Sequence, residues 1–160
     1  MLTHPIPPVY DERSTILILG SFPSVKSREQ GFFYGHPQNR FWRVLAAVFA
    51  EQTPMTVPER RAFLLRNGIA LWDVIASCEI EGSSDASIRE VRVNDLRPIL
   101  EAAEIRKIFV NGKTAAALYR ANAEPLTGRP ASLLPSTSPA NASWSLERLI
   151  EAWRIIREDP

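Results

Sequence analysis

Four short runs of consecutive apolar residues alternate with longer segments in which apolar residues recur every three or four positions. Uninterrupted apolar runs that are bounded by turn residues are typical of strands buried on both faces of a sheet. We therefore predict four strands, at residues 15–19, 69–73, 106–110 and 131–134.

The segments between these runs predict helices. They carry apolar residues at helical spacing, and several begin at residues that cap helices well, such as Asn39, Asn94 or Asp95, and Ser143. The predicted helices cover residues 39–50, 58–67, 95–103, 113–120 and 143–158.

The alternation of strands and helices predicts the fold class. It indicates an α/β protein, a three-layer α/β/α sandwich with a central four-stranded and mostly parallel sheet, because each connection is long enough for a right-handed crossover. A length of 160 residues with 45% hydrophobic content suits one core, so we expect a single domain over residues 1–160. Residues 1–13 hold three prolines and predict an irregular arm, and residues 124–130 predict a turn-rich linker. The pattern leaves the strand order open.

Polar residues follow the predicted strands at the points where the strands end. Ser21, Asp73, Asn111 and residues 136–141 all come just after a strand. Since open parallel sheets bind ligands at the carboxyl ends of their strands, we expect these residues to share one rim and to form one composite site.

Composition narrows the classes of function. The 19 basic and 18 acidic residues give a formal charge of +1, which excludes binding driven by a large uniform positive field but permits a local basic patch. One cysteine, Cys78, cannot form an internal disulfide, and with only His4 and His36 it cannot build a zinc or iron–sulfur site. No apolar run approaches the roughly 18 residues of a membrane helix. We expect a cytoplasmic monomer without a structural metal or membrane contact.

Five motifs, in chain order, resemble the uracil-DNA glycosylase superfamily, and within it the hypoxanthine-DNA (DNA-deoxyinosine) glycosylase branch. The resemblance covers most of the chain, and its second and last motifs are the specific ones. The motifs are Gly20-Ser-Phe-Pro23, Tyr34-Gly-His-Pro-Gln-Asn-Arg-Phe-Trp42, Leu71-Trp-Asp-Val74, Val110-Asn-Gly-Lys113 and Leu134-Pro-Ser-Thr-Ser-Pro-Ala-Asn141. Other branches place an Asp or Asn in the first motif, where this chain has Ser21-Phe22-Pro23, and the iron–sulfur branches use four cysteines that it lacks.

The resemblance implies a monofunctional enzyme that excises deaminated bases from DNA by direct attack of water, with hypoxanthine as the first candidate and uracil as the second, and without a cofactor. It assigns the essential amide to Asn39, which would position a water molecule at an oxocarbenium-like sugar. His36 could give a proton to the departing base or hydrogen-bond its edge, since imidazole titrates near neutral pH.

The base and the DNA backbone need further residues. Phe22 is the candidate for stacking on a flipped base, Tyr34 for stacking or for limiting the size of the pocket, and Ser21 and Asp73 for contacts to the base edge. Ser136, Thr137 and Ser138 would hold phosphates, and Pro139, Ala140 and Asn141 would enter the minor groove, as the corresponding loop of the superfamily does. Arg40 and Lys113 are further candidates for phosphate contacts.

Plainer interpretations stay open for most of these residues. Asn39 could be only a helix cap, His36 part of a turn, Asp73 a cap, and residues 136–138 an ordinary loop. Phe41 and Trp42 fit a helix core better than a binding site. Asp85 fits a solvated loop carboxylate or a second water-activating group. The chain as a whole could be a non-catalytic nucleic-acid-binding or nucleotide-sensing module or, less favourably, a hydrolase of free nucleotides.

Overall fold

A four-stranded sheet lies at the centre of the structure, a computed structural model that describes residues 1–80 and 88–158. Seven strands and seven α-helices occur within those residues. The strands are β1 Leu2–Thr3, β2 Ile16–Gly20, β3 Ile69–Asp73, β4 Ile75–Glu79, β5 Arg89–Val93, β6 Lys107–Asn111 and β7 Ser132–Leu134. The helices are α1 Val25–Gln30, α2 Phe41–Val48, α3 Val57–Arg66, α4 Arg97–Ala102, α5 Lys113–Leu118, α6 Glu124–Thr127 and α7 Leu146–Trp153.

The central sheet has the strand order β3-β2-β6-β7, and all its neighbouring pairs are parallel. Ile18 packs into a core on one face with residues of α2, α3 and α7, whereas Leu17 and Leu19 pack on the other face against residues of α4 and α5. Burial on both faces explains why these strands are uninterrupted apolar runs. The predicted α/β/α sandwich with a four-stranded sheet is confirmed, and the sheet is parallel throughout.

A second, three-stranded antiparallel sheet was not predicted. Its order is β1-β4-β5, and β4 begins two residues after β3 ends. The sequence of β5, Arg-Glu-Val-Arg-Val, is mostly exposed, so it lacks the apolar run that marks a buried strand. The arm, predicted to be irregular, contributes β1, in which Leu2 pairs with Cys78 and Thr3 with Ser77.

Several helix boundaries differ from the prediction. Helix α2 begins at Phe41 rather than at Asn39, and α7 begins at Leu146, where the side chain of Ser145 rather than Ser143 accepts a hydrogen bond from the Arg148 amide. The short helices α1 and α6 were not predicted, because six and four residues are too few to show a helical period. Residues 81–85, predicted as a polar loop and including Asp85, lie outside the described residues.

Candidate functional site

The carboxyl ends of the four parallel strands form one rim, and the polar residues predicted to share it lie there. Gly20 at the end of β2 pairs with Asp73 at the end of β3, and Asn111 at the end of β6 pairs with Leu134 at the end of β7. The loop after β7 follows directly. The in-register parallel pairing therefore aligns residues that are up to about a hundred positions apart in sequence.

The Asn111 side chain connects the two polar motifs. Its amide nitrogen donates to the Tyr34 hydroxyl at 3.2 Å and to the Thr137 hydroxyl at 3.1 Å, and its oxygen accepts from the Thr137 amide at 3.1 Å. Asn111 and Thr137 are buried. Sequence reasoning placed Asn111 at the rim but gave it no role. Thr137, predicted to contact DNA, is fully buried, so in this structure it anchors the loop.

Tyr34 forms one wall of the rim. Its ring stacks on Phe41 with a centroid distance of 3.9 Å and an interplanar angle of 16°. Its φ of 53° is a left-handed conformation that a bulky residue seldom adopts. Stacking on Phe41 and the hydrogen bond from Asn111 hold the Tyr34 side chain in place. Phe41 itself is fully buried, as expected of a core residue.

Residues 36–39 form a tight turn before α2. The Gln38 amide donates to His36 Nδ1 at 3.1 Å, and the Asn39 amide donates to the His36 carbonyl at 3.0 Å. A neutral His36 therefore carries its proton on Nε2, because Nδ1 accepts.

The Asn39 side chain caps the first N–H of α2 from the position before the N-cap residue, Arg40, whose own side chain makes no cap bond. The Asn39 oxygen accepts from the Phe41 amide at 2.9 Å. Within residues 1–80 and 88–158 its NH₂ group donates no hydrogen bond, and the residue is half-buried. An amide oxygen has a second lone pair, so the cap leaves both ends of this amide able to bind a water molecule.

Arg40 fastens the 136–144 loop, which comprises residues 136–144 between β7 and α7. Its guanidinium donates to the carbonyl oxygens of Ser138 at 3.0 Å and Asn141 at 3.1 Å, and also to that of Trp144. Its backbone amide donates to the Thr137 carbonyl at 3.1 Å. These bonds direct the guanidinium into the protein, so they support a loop-holding role rather than the predicted phosphate contact.

Hydroxyl groups shape the inside of the same loop. Ser136 Oγ accepts from the Ser138 amide and Ser138 Oγ accepts from the Ala140 amide, both at 3.1 Å. The Asn141 side chain donates to the Ser136 carbonyl at 3.0 Å. Pro139 and Ala140 are exposed at the tip. The loop is therefore a braced projection with a small apolar tip.

Phe22 and Ser21 lie in the turn after β2 and are half-buried. The Phe22 ring meets the His4 ring edge-on at 5.8 Å, and the Arg28 guanidinium lies 5.6 Å from its centroid. Lys113, also predicted to contact phosphate, is exposed at the start of α5.

A histidine that sequence reasoning did not assign to the site also lies at this rim. His4 Nε2 is 2.8 Å from Asp73 Oδ2, and both side chains are almost wholly buried. The two residues are 69 positions apart, and no spacing or motif in the sequence links them. Asp73 is thus a partner of the arm as well as a strand-end residue.

The described residues contain no group of three or more His, Cys, Asp or Glu that could hold a metal ion. In that part of the chain, no helix is long and apolar enough to cross a membrane.

Comparison with known proteins gives concordant matches. A model of the uracil DNA glycosylase superfamily matches residues 7–157. A hypoxanthine DNA glycosylase of Methanosarcina acetivorans is 35% identical over 161 residues, which cover 98% of each chain. One of Methanosarcina barkeri is 38% identical over 67% of this chain and 69% of its own. A solution NMR structure from Methanosarcina acetivorans, provisionally described as a uracil DNA glycosylase, superposes with a TM-score of 0.81 at 32% identity and covers 99% of this chain and 100% of its own.

Proposed function

The chain belongs to the uracil DNA glycosylase superfamily and is a DNA glycosylase, and we propose that it hydrolyses the N-glycosidic bond of deaminated bases, hypoxanthine first and uracil second. The names of the two relatives support hypoxanthine as the preferred base. The observation that carries the proposal is that Asn111 and Arg40 tie the two polar motifs together at one rim. A catalytic amide and a projecting loop are thereby held side by side, as an enzyme acting on an extruded nucleotide requires.

Asn39 positions the attacking water. An oxocarbenium-like sugar is reactive enough that water needs orientation more than a strong base. The Asn39 NH₂ group donates to the water oxygen, and the second lone pair of its capped oxygen can accept a water proton. Because the cap fixes the amide, the water is oriented before the substrate arrives.

His36 assists the departing base. With Nδ1 occupied by the Gln38 amide, the ring offers Nε2–H to the negative charge that develops on the leaving purine. A neutral imidazole that donates a hydrogen bond is sufficient for this role.

The pocket for the flipped base is formed by Phe22 and Tyr34 as aromatic walls and by Ser21 and Asp73 at the base edge. Tyr34 is held by Phe41 and Asn111, so it limits the volume of the pocket. Size and edge contacts together then discriminate among bases.

The 136–144 loop binds the DNA. Pro139 and Ala140 at its exposed tip fill the space that the flipped base leaves, while Ser136, Ser138 and Asn141 hold the loop and meet the backbone. Lys113 adds a phosphate contact. No lysine lies in the two specific motifs to form a Schiff base, so the enzyme is monofunctional and leaves an intact strand with an abasic site. We further propose that it acts as a cytoplasmic monomer without a cofactor.

A gel assay tests the function. Oligonucleotides with one deoxyinosine or one deoxyuridine are incubated with the protein in EDTA and then treated with alkali. We expect cleavage at deoxyinosine that depends on alkali. The rate of excision by Asn39→Ala should be at least about a hundredfold lower than that of wild type, because losing one transition-state contact costs about 2.7 kcal/mol or more. Gln38→Ala, next to it in the same exposed turn, is the matched control and should keep the rate.

Three results would contradict parts of the proposal. Cleavage without alkali would exclude a monofunctional enzyme. Full activity of Asn39→Ala would show that Asn39 is not catalytic but would leave the proposed glycosylase function standing. No cleavage of either base, with binding to abasic DNA retained, would favour the non-catalytic module, which the present similarities do not favour.

A further inference from the structure

An antiparallel ribbon of two short strands leaves the rim at the end of β3. It comprises β4 and β5, and we call it the β4–β5 ribbon. The Val74 and Ile75 amides donate to the carbonyl oxygens of Gly20 and Ser21 at 2.8 and 3.1 Å. These two bonds continue the parallel pairing of β2 and β3 past the ends of the strands. The ribbon therefore starts at the candidate site.

Asn94 holds both strands of the ribbon at the rim. Its side-chain NH₂ group donates to the carbonyl oxygens of Asp73 at 2.9 Å and Ile75 at 3.2 Å, and its backbone amide donates to the Val74 carbonyl at 2.8 Å. Asn94 is buried. Three hydrogen bonds from one buried residue thus fix the end of β5 against the start of β4.

The outer strand of the ribbon, β5, lies beside the start of α5. Ile88 and Val91 line a groove of about 350 Å³ together with Lys113 and Thr114 of that helix. Helix α5 begins two residues after β6 ends, so its first turn also lies at the rim. Strand β5 is therefore close to the rim and to Lys113, the candidate phosphate contact.

A bulge in β5 brings two arginines to one face of the ribbon. Arg89 lies opposite Glu79 and Arg92 lies opposite Ser77, so three steps along β5 match two steps along β4. Residues three apart in a regular strand point to opposite faces, whereas residues that oppose a pair two apart share a face. Glu90 takes up the extra step with a φ of 53°, a left-handed conformation that is unfavourable for glutamate. The ribbon thus keeps a strained residue whose effect is to align Arg89 with Arg92.

The charges of the two arginines are available to a partner. Arg89 and Arg92 are exposed, and in the described part of the chain no carboxylate pairs with either of them. The carboxylate of Glu79, opposite Arg89, pairs instead with the amino group of Met1 at 3.1 Å. Glu90 is exposed as well and offsets part of the positive charge. Two aligned guanidinium groups beside the site form a local basic patch in a nearly neutral protein.

We propose that the β4–β5 ribbon binds the DNA backbone, with Arg89 and Arg92 each contacting a phosphate on one side of the extruded nucleotide. This proposal extends the proposed function and rests on it. The 136–144 loop follows β7 at one edge of the central sheet, and the ribbon follows β3 at the other edge. Three strand spacings separate these edges by about 14 Å, which spans about four nucleotides of one DNA strand. The loop and the ribbon would therefore hold the strand on opposite sides of the site.

The competing explanation is that the arginines only protect an exposed edge strand from pairing with other chains, a common use of charge at sheet edges. Four variants separate the two explanations. Arg89→Gln and Arg92→Gln each remove one charge, while Arg92→Lys keeps a charge that can meet a phosphate. Arg106→Gln is the matched control, because Arg106 is exposed just before β6, at the opposite end of the central sheet.

The first measurement is the affinity for duplex DNA with a stable abasic-site analogue at several salt concentrations. Each lost phosphate contact should reduce the slope of log affinity against log salt concentration by about 0.9, so Arg89→Gln and Arg92→Gln should each bind about fifteenfold more weakly at about 0.05 M salt and about fourfold more weakly at about 0.2 M. Arg92→Lys and Arg106→Gln should keep the wild-type slope. Single-turnover excision at saturating enzyme should stay within about twofold of wild type in all four variants, because these contacts lie outside the reacting nucleotide.

The second measurement locates the contacts. A neutral methylphosphonate replaces each phosphate near the lesion in turn. It should weaken wild-type binding at one or two positions on one side of the lesion, and at those positions the corresponding Gln variant should lose no further affinity.

Several results would overturn the proposal. They are wild-type slopes in Arg89→Gln and Arg92→Gln, with or without aggregation, a slope in Arg106→Gln that falls as far, and a slope in Arg92→Lys that falls as far as in Arg92→Gln. Excision of hypoxanthine by wild type together with any of these results leaves the proposed function standing. A wild-type protein that excises no base but shows the expected slopes overturns the proposed function and leaves DNA binding by the ribbon standing.

Discussion

Replacing Arg40 with lysine should slow base excision although the positive charge is kept. The guanidinium reaches three carbonyl oxygens of the 136–144 loop, those of Ser138, Asn141 and Trp144. An ammonium group on a flexible stem cannot match a planar group with five fixed donors, so lysine would keep about one of these bonds. The loop then loses two charge-assisted bonds while Asn39, next to Arg40, keeps its cap to Phe41.

The size of the effect follows from the bonds lost. A hydrogen bond to a charged group contributes about 1.5–3 kcal/mol, and the half-buried position of Arg40 favours the lower end. Water would replace part of each lost bond, so losing two bonds should destabilise the docked loop by about 2–3 kcal/mol. If a docked loop is needed to stabilise extruded DNA, single-turnover excision falls by a factor of about 30 to 160.

The assay is single-turnover excision of hypoxanthine by wild type, Arg40→Lys and Arg40→Ala, with Arg43→Lys as the matched control. Arg43 is exposed on α2, three positions after Arg40. Binding to DNA with a stable abasic-site analogue is measured in parallel at several salt concentrations. Both Arg40 variants should bind more weakly, with the salt slope of wild type, because Arg40 is directed at carbonyl groups and not at phosphates.

One result would refute this reasoning. Suppose that Arg40→Lys kept the wild-type rate, while Arg40→Ala excised more slowly and reduced the slope of log binding affinity against log salt concentration by about one. Arg40 would then be a phosphate contact. The three carbonyl bonds would then be a feature of the free protein that the DNA complex replaces.

Two further substitutions and one labelling experiment have defined outcomes. Gly20→Ala should lower the free energy of unfolding, measured by urea titration, by about 1–3 kcal/mol and should also reduce excision. The reason is that the added Cβ would lie 2.4 Å from Asp73 Oδ1. Wild-type stability and activity would show instead that the carboxylate can move away. Glu51→Gln should cost about 0.5–1 kcal/mol at pH 7, since the bond from Arg66 holds the pKa of Glu51 below its ordinary 4.5. Because the pKa of Glu51 is lowered in the folded state, its carboxylate stabilises the fold above pH 4.5, and this contribution is lost as the pH falls through the lowered pKa. The free energies of unfolding of wild type and Glu51→Gln should therefore become equal in acid. A difference between them that persists at low pH would contradict this. Cys78 is fully buried and burial raises its pKa, so it should react with a thiol reagent at pH 8 only after unfolding, and rapid native labelling would show that β4 opens.

The buried strands could be predicted from sequence because a strand covered on both faces has a local signature. The predicted range 69–73 coincides with β3, and the other three central strands differ from their predictions by one residue. The strand β5 could not be found in this way, since Arg89, Glu90 and Arg92 belong to a mostly exposed edge. Antiparallel edge strands that face solvent carry little apolar periodicity, and their pairing is decided by neighbours that are distant in sequence.

The sequence by itself determined the local segments from which the candidate site is built. The turn of His36 and Asn39 and the loop of residues 136–141 are contiguous segments rich in hydrogen-bonding groups, and the strand ends predicted that the loop would share a rim with Ser21, Asp73 and Asn111. Their bonds within each segment, such as the cap from Asn39 to Phe41, are also local and could be anticipated.

Only the tertiary structure decided which residues hold that site together. Arg40 binds carbonyl groups 98 to 104 positions away, and His4 meets Asp73 across 69 positions. Such partners leave no periodic trace in the sequence, because any arginine or histidine with the right backbone path could make the bond. The parallel register and the path of the arm over β3 supply that geometry, and they arise from packing of the whole sheet rather than from any local pattern.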